Sequence, residues 1–152
     1  MDMNQQRRDL LKYSTVFGLM ASAGLISTAQ AEEWNKAAFE GKSLDEVFKA
    51  LGTSTPDKSG AVVINAPDIA ENGAVVPVGI TTTLKTNQLA ILVEKNPSPL
   101  AAQFFIPAGT EPMVTTRIKM AQTSNVYALV KTDGKWMMAV KEIKVTLGGC
   151  GG

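Results

Sequence analysis

From residue 61 to residue 147 the apolar residues either recur at every second position or form short unbroken runs, each ended by a turn signal. Val76, Val78, Ile80 and Leu84 lie on one face of an alternating segment. Val114, Thr116, Ile118 and Met120 alternate with Thr115, Arg117 and Lys119, and Ile143, Val145 and Leu147 with Lys144 and Thr146. Shorter apolar runs fill 61–64, 89–94, 104–106, 126–130 and 136–140. Successive side chains of a strand point to opposite faces, so this pattern belongs to strands. Asn72-Gly73, Asn96-Pro97-Ser98-Pro99, Gly109 and Asp133-Gly134 punctuate the runs, and Asn-Gly and Asp-Gly are the pairs that tight hairpins use. About seven short strands at this spacing predict a mainly β fold, an immunoglobulin-like antiparallel β-sandwich. Pro77 has no N–H to give to a ladder, which puts its strand at a sheet edge or Pro77 at the strand's start. The apolar parity changes between Val140 and Ile143, which predicts a bulge or break there.

A short helical segment precedes the strands, over residues 32–51. Ser43-Leu44-Asp45-Glu46 places a Ser cap three residues before a Glu, a capping box. Leu44, Val47, Phe48 and Leu51 recur at helical spacing, and Gly52 is the stop. Trp34, Ala37 and Ala38 form a first turn, separated from the second by Gly41. Residues 53–60, with Pro56, read as a polar linker.

Residues 1–31 have the form of an export signal. Gln6-Arg7-Arg8-Asp9-Leu10-Leu11-Lys12 carries paired arginines before an uncharged stretch that ends Ala29-Gln30-Ala31, a small-x-small cleavage pattern. Ser14, Thr15, Gly18, Ser22, Gly24, Ser27 and Thr28 make the stretch too polar for a stable membrane span. The expectation is a twin-arginine signal cleaved after Ala31, a periplasmic protein, and no membrane span in the mature chain. That route carries folded cargo, so a partner subunit folded and exported together with this chain is also expected.

Charge and residue counts exclude several functions. Cleavage removes Arg7, Arg8 and Lys12 with Asp2 and Asp9 from totals of 15 basic and 14 acidic residues, leaving 12 of each. A chain of zero net charge has no general electrostatic attraction for nucleic acid or anionic lipid. There is no histidine, hence neither the commonest metal ligand nor the commonest general base. There is one cysteine, so an internal disulfide and a cysteine-rich metal site are both impossible. No phosphate-binding glycine loop, catalytic triad or carboxylate dyad is present. No cofactor or metal is expected, and a conventional enzyme is disfavoured.

The chemistry is left to the last five residues, Gly148-Gly149-Cys150-Gly151-Gly152. Glycine has no side chain to pack and loses the most entropy on ordering. The segment therefore reads as a thin carrier arm, with a reach of at most about 17 Å at 3.3–3.6 Å per residue. An unpaired cysteine in an exported protein calls for a role. An unperturbed thiol is only about 3% ionised at pH 7, and the nearest basic residue in sequence is Lys144. Such a thiol is a handle that other proteins activate rather than a catalyst. The plain alternative is a frayed terminus with an incidental cysteine.

The tail, together with Ala70-Glu71-Asn72-Gly73-Ala74-Val75-Val76-Pro77-Val78, Val93-Glu94-Lys95-Asn96-Pro97 and Arg117-Ile118-Lys119-Met120-Ala121, resembles the SoxY family of bacterial thiosulfate oxidation. The resemblance covers essentially the whole chain, including the signal, and divides it into 1–31 (signal), 32–147 (sandwich) and 148–152 (arm). It implies a non-enzymatic carrier with Cys150 as the covalent attachment site and Gly148, Gly149, Gly151 and Gly152 as its arm. It implies a SoxZ-like subunit as heterodimer partner, a c-type haem coupling enzyme (SoxAX) that links thiosulfate to the cysteine, and a hydrolase (SoxB) that releases sulfate and leaves a persulfide. A sulfane dehydrogenase (SoxCD) acts further where the full pathway exists.

Two other functions compete on the residues alone. One is a redox-controlled structural subunit dimerising through Cys150. The other is a ubiquitin-like carrier activated at its terminal carboxylate, which the export signal disfavours because activation needs cytoplasmic ATP chemistry. Among the remaining features, Arg117 and Lys119 read as the solvated or partner-facing side of a strand, and Asn72-Gly73 as a hairpin turn. Met113, Met120, Met137 and Met138 read as core or interface filler rather than thioether ligands. Trp34 and Trp136 read as packing anchors.

Overall fold

The computed structural model describes residues 35–147. The signal segment, Trp34 and the arm with Cys150 lie outside the described residues. Two short helices come first, α1 (Lys36–Glu40) and α2 (Leu44–Ala50). Ser43 caps α2 by accepting a hydrogen bond from the Glu46 N–H, 3.2 Å. Glu46 reaches back past the cap to the Lys42 N–H, 2.7 Å. Gly52, at φ +81°, ends the helix. The Thr53 N–H bonds the Phe48 carbonyl and the Gly52 N–H the Lys49 carbonyl, the paired closure that a left-handed glycine permits.

Nine strands follow among the described residues: β1 (Asp57–Lys58), β2 (Val62–Asn65), β3 (Ile69–Ala70), β4 (Val76–Thr82), β5 (Gln88–Val93), β6 (Leu100–Phe105), β7 (Met113–Ile118), β8 (Ser124–Thr132) and β9 (Lys135–Val145). The larger sheet runs β1-β9-β8-β5-β6, with β3 also on β9, and the smaller runs β2-β4-β7. The long ladders are antiparallel, and the fold is an immunoglobulin-like sandwich. Two short parallel additions, β1 and β3, lie along the outer edge of β9. Asp133 (φ 48°) and Gly134 (φ 76°) make the tight turn between β8 and β9, as the Asp-Gly pair requires.

The larger sheet is covered on both faces. Leu89, Ile91 and Val93 of β5, with Val126, Ala128 and Val130 of β8, pack against Val76, Val78 and Ile80 of the smaller sheet. Their alternates Ala90, Leu92 and Leu129 pack against Val47, Phe48 and Leu51 of the helical segment. Trp136 joins the layers, its indole N–H donating to the Leu51 carbonyl at 3.0 Å.

Two sequence expectations are corrected and a third is resolved between its alternatives. β9 pairs with β8 in unbroken register from Trp136 to Ile143, so there is no bulge on that ladder. Met137, Ala139, Ile143 and Val145 face the inter-sheet core throughout; Trp136 and Met138 fill the opposite face only where the helices cover it. The apparent parity change is the end of that cover. Second, β4 is the middle strand of its sheet and not an edge, so the other place expected for Pro77, the strand's start, is the one found: Pro77 is the second residue of Val76–Thr82. Pro77 pairs with Arg117 of β7, and the β2 ladder stops at Asn65–Gly79, so the missing N–H costs no ladder bond to β2. Third, Asn72-Gly73 is not a hairpin: β3 belongs with β9 and β4 with β2 and β7, so this turn crosses between sheets. Met120 and Met138 are buried and Met137 partly so, as core filler is, whereas Met113 is exposed and fills no core.

Candidate functional site

The described residues end at Leu147, three residues before Cys150, and Leu147 is the root from which that last segment continues in sequence. The structure shows how this root is held. β9 would be a free edge past Ile143 were it not for β3, which pairs Ile69 with Lys144 and Ala70 with Val145. The Lys144 N–H donates to the Asp68 carbonyl at 2.9 Å and the Thr146 N–H to the Ala70 carbonyl at 3.1 Å. The Thr146 hydroxyl donates to the Glu71 carbonyl at 3.0 Å. From the other side the Thr123 hydroxyl accepts from the Val145 N–H at 2.9 Å. Finally the Gly73 N–H donates to the Leu147 carbonyl at 2.7 Å, which fixes the last described peptide.

Gly73 also reaches the smaller sheet. Its carbonyl accepts from the Met120 N–H at 2.7 Å, while Asn72 Oδ1 accepts from the Ala74 N–H at 2.9 Å and closes the local turn. Met120 is fully buried and fixes the chain just after β7. On either side of it a single side chain spans the backbone: Asn96 Nδ2 donates to the Lys119 carbonyl at 2.8 Å and Asn96 Oδ1 accepts from the Ala121 N–H at 3.0 Å. Segments 70–78, 93–97 and 117–121, scattered in sequence, thus meet near Leu147 in one hydrogen-bonded chain, Asn96 to 119–121 to Gly73 to Leu147.

Neighbouring groups tighten this end. Buried Ser124 accepts from the Lys95 N–H and donates to the Asn125 carbonyl, both at 3.0 Å. Glu94 Oε2 accepts from Asn125 Nδ2 at 2.9 Å and from the Tyr127 hydroxyl at 3.4 Å. Partial burial, with the Glu94 carboxylate beside it, raises the Tyr127 hydroxyl above its ordinary pKa. The Lys141 ammonium contacts the Asp68 carboxylate at 2.9 Å and donates to the Ala66 carbonyl at 2.5 Å, tying down the loop that leads into β3. That hydrogen bond and charge hold the Asp68 carboxyl below its usual pKa.

Sequence reasoning placed the functional residues at Cys150, Gly148, Gly149, Gly151 and Gly152, all outside the described residues. It missed the supports of the root: Asn96, Thr123, Thr146 and both polar groups of Gly73. Asn96 stood beside Pro97 and had a sufficient local reading as a turn residue; its partners lie 23 and 25 positions away. Arg117 and Lys119 are exposed, as read from the alternation. Among the described residues no three His, Cys, Asp or Glu side chains group as metal ligands, and no helix is long and apolar enough to cross a membrane.

The family model of the sulfur oxidation protein SoxY matches residues 47–150. The structure of the sulfur carrier protein SoxY from Chlorobium limicola f thiosulfatophilum matches with 38% identity and a TM-score of 0.62, covering 74% of this chain and all of that one. A neutron crystallographic structure of a lytic polysaccharide monooxygenase from Jonesia denitrificans aligns at 11% identity with a TM-score of 0.37, over 84% of this chain and 92% of that one, too remote to bear on fold or function. No curated protein matches.

Proposed function

The chain belongs to the SoxY family of sulfur oxidation proteins, and on that premise we propose that it is a covalent sulfur carrier whose attachment site is Cys150. The observation that carries the reading is the extent of the family match, which starts in α2 and runs through Cys150, the sole cysteine. The fixed root supports it. A carrier that visits several enzymes needs a stable body, a definite point of departure and a narrow end. The body gives the first two, and glycine flanks give the third.

The Cys150 thiol and thiosulfate together lose a proton and a pair of electrons as a sulfur–sulfur bond forms, giving cysteine S-thiosulfonate. The electrons pass to the haems of a SoxAX-type coupling enzyme. Water then attacks the terminal sulfone in a SoxB-type hydrolase, releasing sulfate and a proton and leaving the persulfide. A SoxCD-type sulfane dehydrogenase extends the oxidation where present. The carrier itself needs no cofactor. It acts in the periplasm, reached by the twin-arginine signal of residues 1–31, as a heterodimer with a SoxZ-like subunit exported with it.

Intact-mass and peptide mapping of the mature heterodimer, incubated with thiosulfate and the coupling enzyme, tests the reading. A thiosulfonate adduct on the peptide containing Cys150 is the expected result. Finding only a Cys150–Cys150 disulfide would replace the carrier with a redox-controlled dimer.

A further inference from the structure

Where β8 turns into β9, three loops close the sandwich and leave a gap between them. Residues 83–87, 106–112 and the Asp133-Gly134 turn line an open cavity of about 700 Å³, inside the range of about 300–1,000 Å³ that small-molecule sites occupy. Hydrogen bonds shape its walls in advance. The Ile106 N–H donates to the Asn87 carbonyl at 2.8 Å and joins two of the loops, and the Thr110 N–H donates to the Pro107 carbonyl at 3.1 Å. The Thr86 hydroxyl donates to the Gln88 carbonyl at 2.9 Å and accepts from the Gln88 N–H at 3.1 Å. Gly109 (φ +82°) and Gly134 (φ +76°) take turns that side chains disfavour, and the space beside each is empty.

Two kinds of surface meet in the cavity. Leu84 and Ile106 are half-buried, pack on the inter-sheet core and also line the cavity, where Pro107 and Pro112 extend the apolar wall. Lys85 and Lys131 line it too. The ion pairs among the described residues are Lys36–Glu40 and Lys141–Asp68, so no carboxylate neutralises either lysine. Lys131 is half-buried, and its ammonium lies 5.7 Å from the centre of the Trp136 ring, a contact that restrains the side chain and leaves its charge unbalanced. Asp133 lines the same cavity. Two cations and one carboxylate leave one positive charge over, which suits one negative charge on a ligand and opposes a second.

We propose that this cavity is a binding site for a small organic monoanion. An apolar body lies against Leu84, Ile106 and the two prolines, and a carboxylate or sulfonate head meets Lys85 and Lys131. The site goes beyond the carrier reading and does not depend on it. Inorganic sulfate and thiosulfate fit poorly, because the apolar wall offers them nothing and Asp133 opposes their second charge. A neutral hydrocarbon fits poorly as well, because it leaves both ammonium groups without a partner and strips water from them.

The test uses the purified full-length protein and two fluorescent probes, anilinonaphthalene sulfonate and phenylnaphthylamine. The second is the first without its sulfonate, so the pair separates head from body. Fluorescence titration should show a saturable site for the sulfonate probe. Ala108→Trp, in an exposed loop that lines the cavity, fills the space without entering the core and should weaken both probes by about tenfold or more, a difference easily read in Kd. Lys85→Gln combined with Lys131→Gln should weaken the sulfonate probe by about tenfold and the neutral probe by less than about twofold, because only the charged head loses its charge-assisted contacts. Lys85→Gln alone, at an exposed side chain, repeats the head test with the Lys131–Trp136 contact intact, and should weaken the sulfonate probe alone. Val63→Trp is the control, since Val63 is 47% exposed and lies on β2 outside the cavity; it should change nothing. Sulfate added at constant ionic strength should displace neither probe. Absence of saturable sulfonate binding overturns the site, as does binding that survives Ala108→Trp. Equal loss of both probes in the lysine variants overturns the anionic head, and displacement by sulfate overturns the organic monoanion in favour of an inorganic dianion.

Discussion

Where β9 finishes, segments more than twenty residues apart are tied to one another through Asn96, Gly73, Thr123 and Thr146. At the opposite end, where β8 turns into β9, the loops of residues 83–87 and 106–112 surround an open cavity of about 700 Å³. The bonds there are mostly local: Thr86 to Gln88, and Thr110 to the Pro107 carbonyl, with Ile106 N–H to the Asn87 carbonyl as the main link between loops. Both ends close the same sandwich over the same core. Among the described residues, the long-range hydrogen bonds are concentrated at the end that carries Leu147. On the proposed carrier reading, a fixed Leu147 gives the segment that bears Cys150 a definite starting point, which favours its presentation to a partner enzyme.

The largest expected effect is at the thiol. Cys150→Ser should abolish loading with thiosulfate while thermal stability changes by less than about 0.5 kcal/mol, the usual range for a side chain away from any packed feature. Retained loading would end the carrier reading. A large loss of stability would show that the braced end extends past Leu147 and includes the tail.

Bulk beside the thiol should come next. Gly149→Val and Gly151→Val widen the chain and stiffen its backbone. Enzymatic loading is expected to fall by about tenfold, worth about 1.4 kcal/mol, with iodoacetamide reactivity near normal. If both rates fall together, the substitution has altered the thiol and not its access to a pocket.

The contrast between the two ends is sharpened by a pair of substitutions. Asn96→Ala removes two neutral hydrogen bonds and should cost about 1–2 kcal/mol. It should also slow loading, because the path from residues 119–121 through Gly73 to Leu147 slackens. Lys85→Ala, at the rim of the open cavity, should change stability by less than about 0.5 kcal/mol and leave loading alone. Denaturant midpoints and loading rates of the two variants decide the matter. Equal effects would mean that the braced end is no more critical to the arm than the open one.

What could be read from the sequence were features whose cause is local. Ser43 and Glu46 announce a helix start and Gly52 its stop, because capping depends on residues within one turn. Asp133-Gly134 announces a hairpin because positive φ is a property of those residues. Val76, Val78 and Ile80 mark a strand face by alternation alone. The hidden parts depended on distant partners. In β6, Leu100-Ala101-Ala102-Gln103 has little strand preference and follows Pro97-Ser98-Pro99; it becomes a strand by pairing with β5. β1 and β3 are too short for any period and exist by pairing with β9. Asn72-Gly73 carried the right turn residues and the wrong implication, since turn chemistry does not say which sheet each flank joins. At the site, Cys150 stood out by being the sole cysteine between glycines, whereas the supports of its root are ordinary polar residues whose partners only folding supplies.

The smallest expected effect concerns acid and the loop that leads into β3. The Asp68 carboxyl is held below its ordinary pKa of 3.8 by the hydrogen bond and charge of Lys141. A depressed carboxyl protonates less readily in the folded than in the unfolded chain. Its contribution to stability is therefore present above the unfolded value and is lost as the pH falls through the folded value. Asp68 is exposed, so solvent and salt screen the pair and the effect is small. Lys141 also keeps its bond to the Ala66 carbonyl, so the loop retains one anchor after protonation. Thermal scans of the native protein and of Asp68→Asn, from about pH 6 down to about pH 2, isolate the carboxylate. Their difference should be constant above about pH 4, shrink below it, and be reduced throughout in 1 M salt. A difference that ignores both pH and salt would remove the ion pair from the bracing of the arm end and leave its hydrogen bonds to hold the root alone.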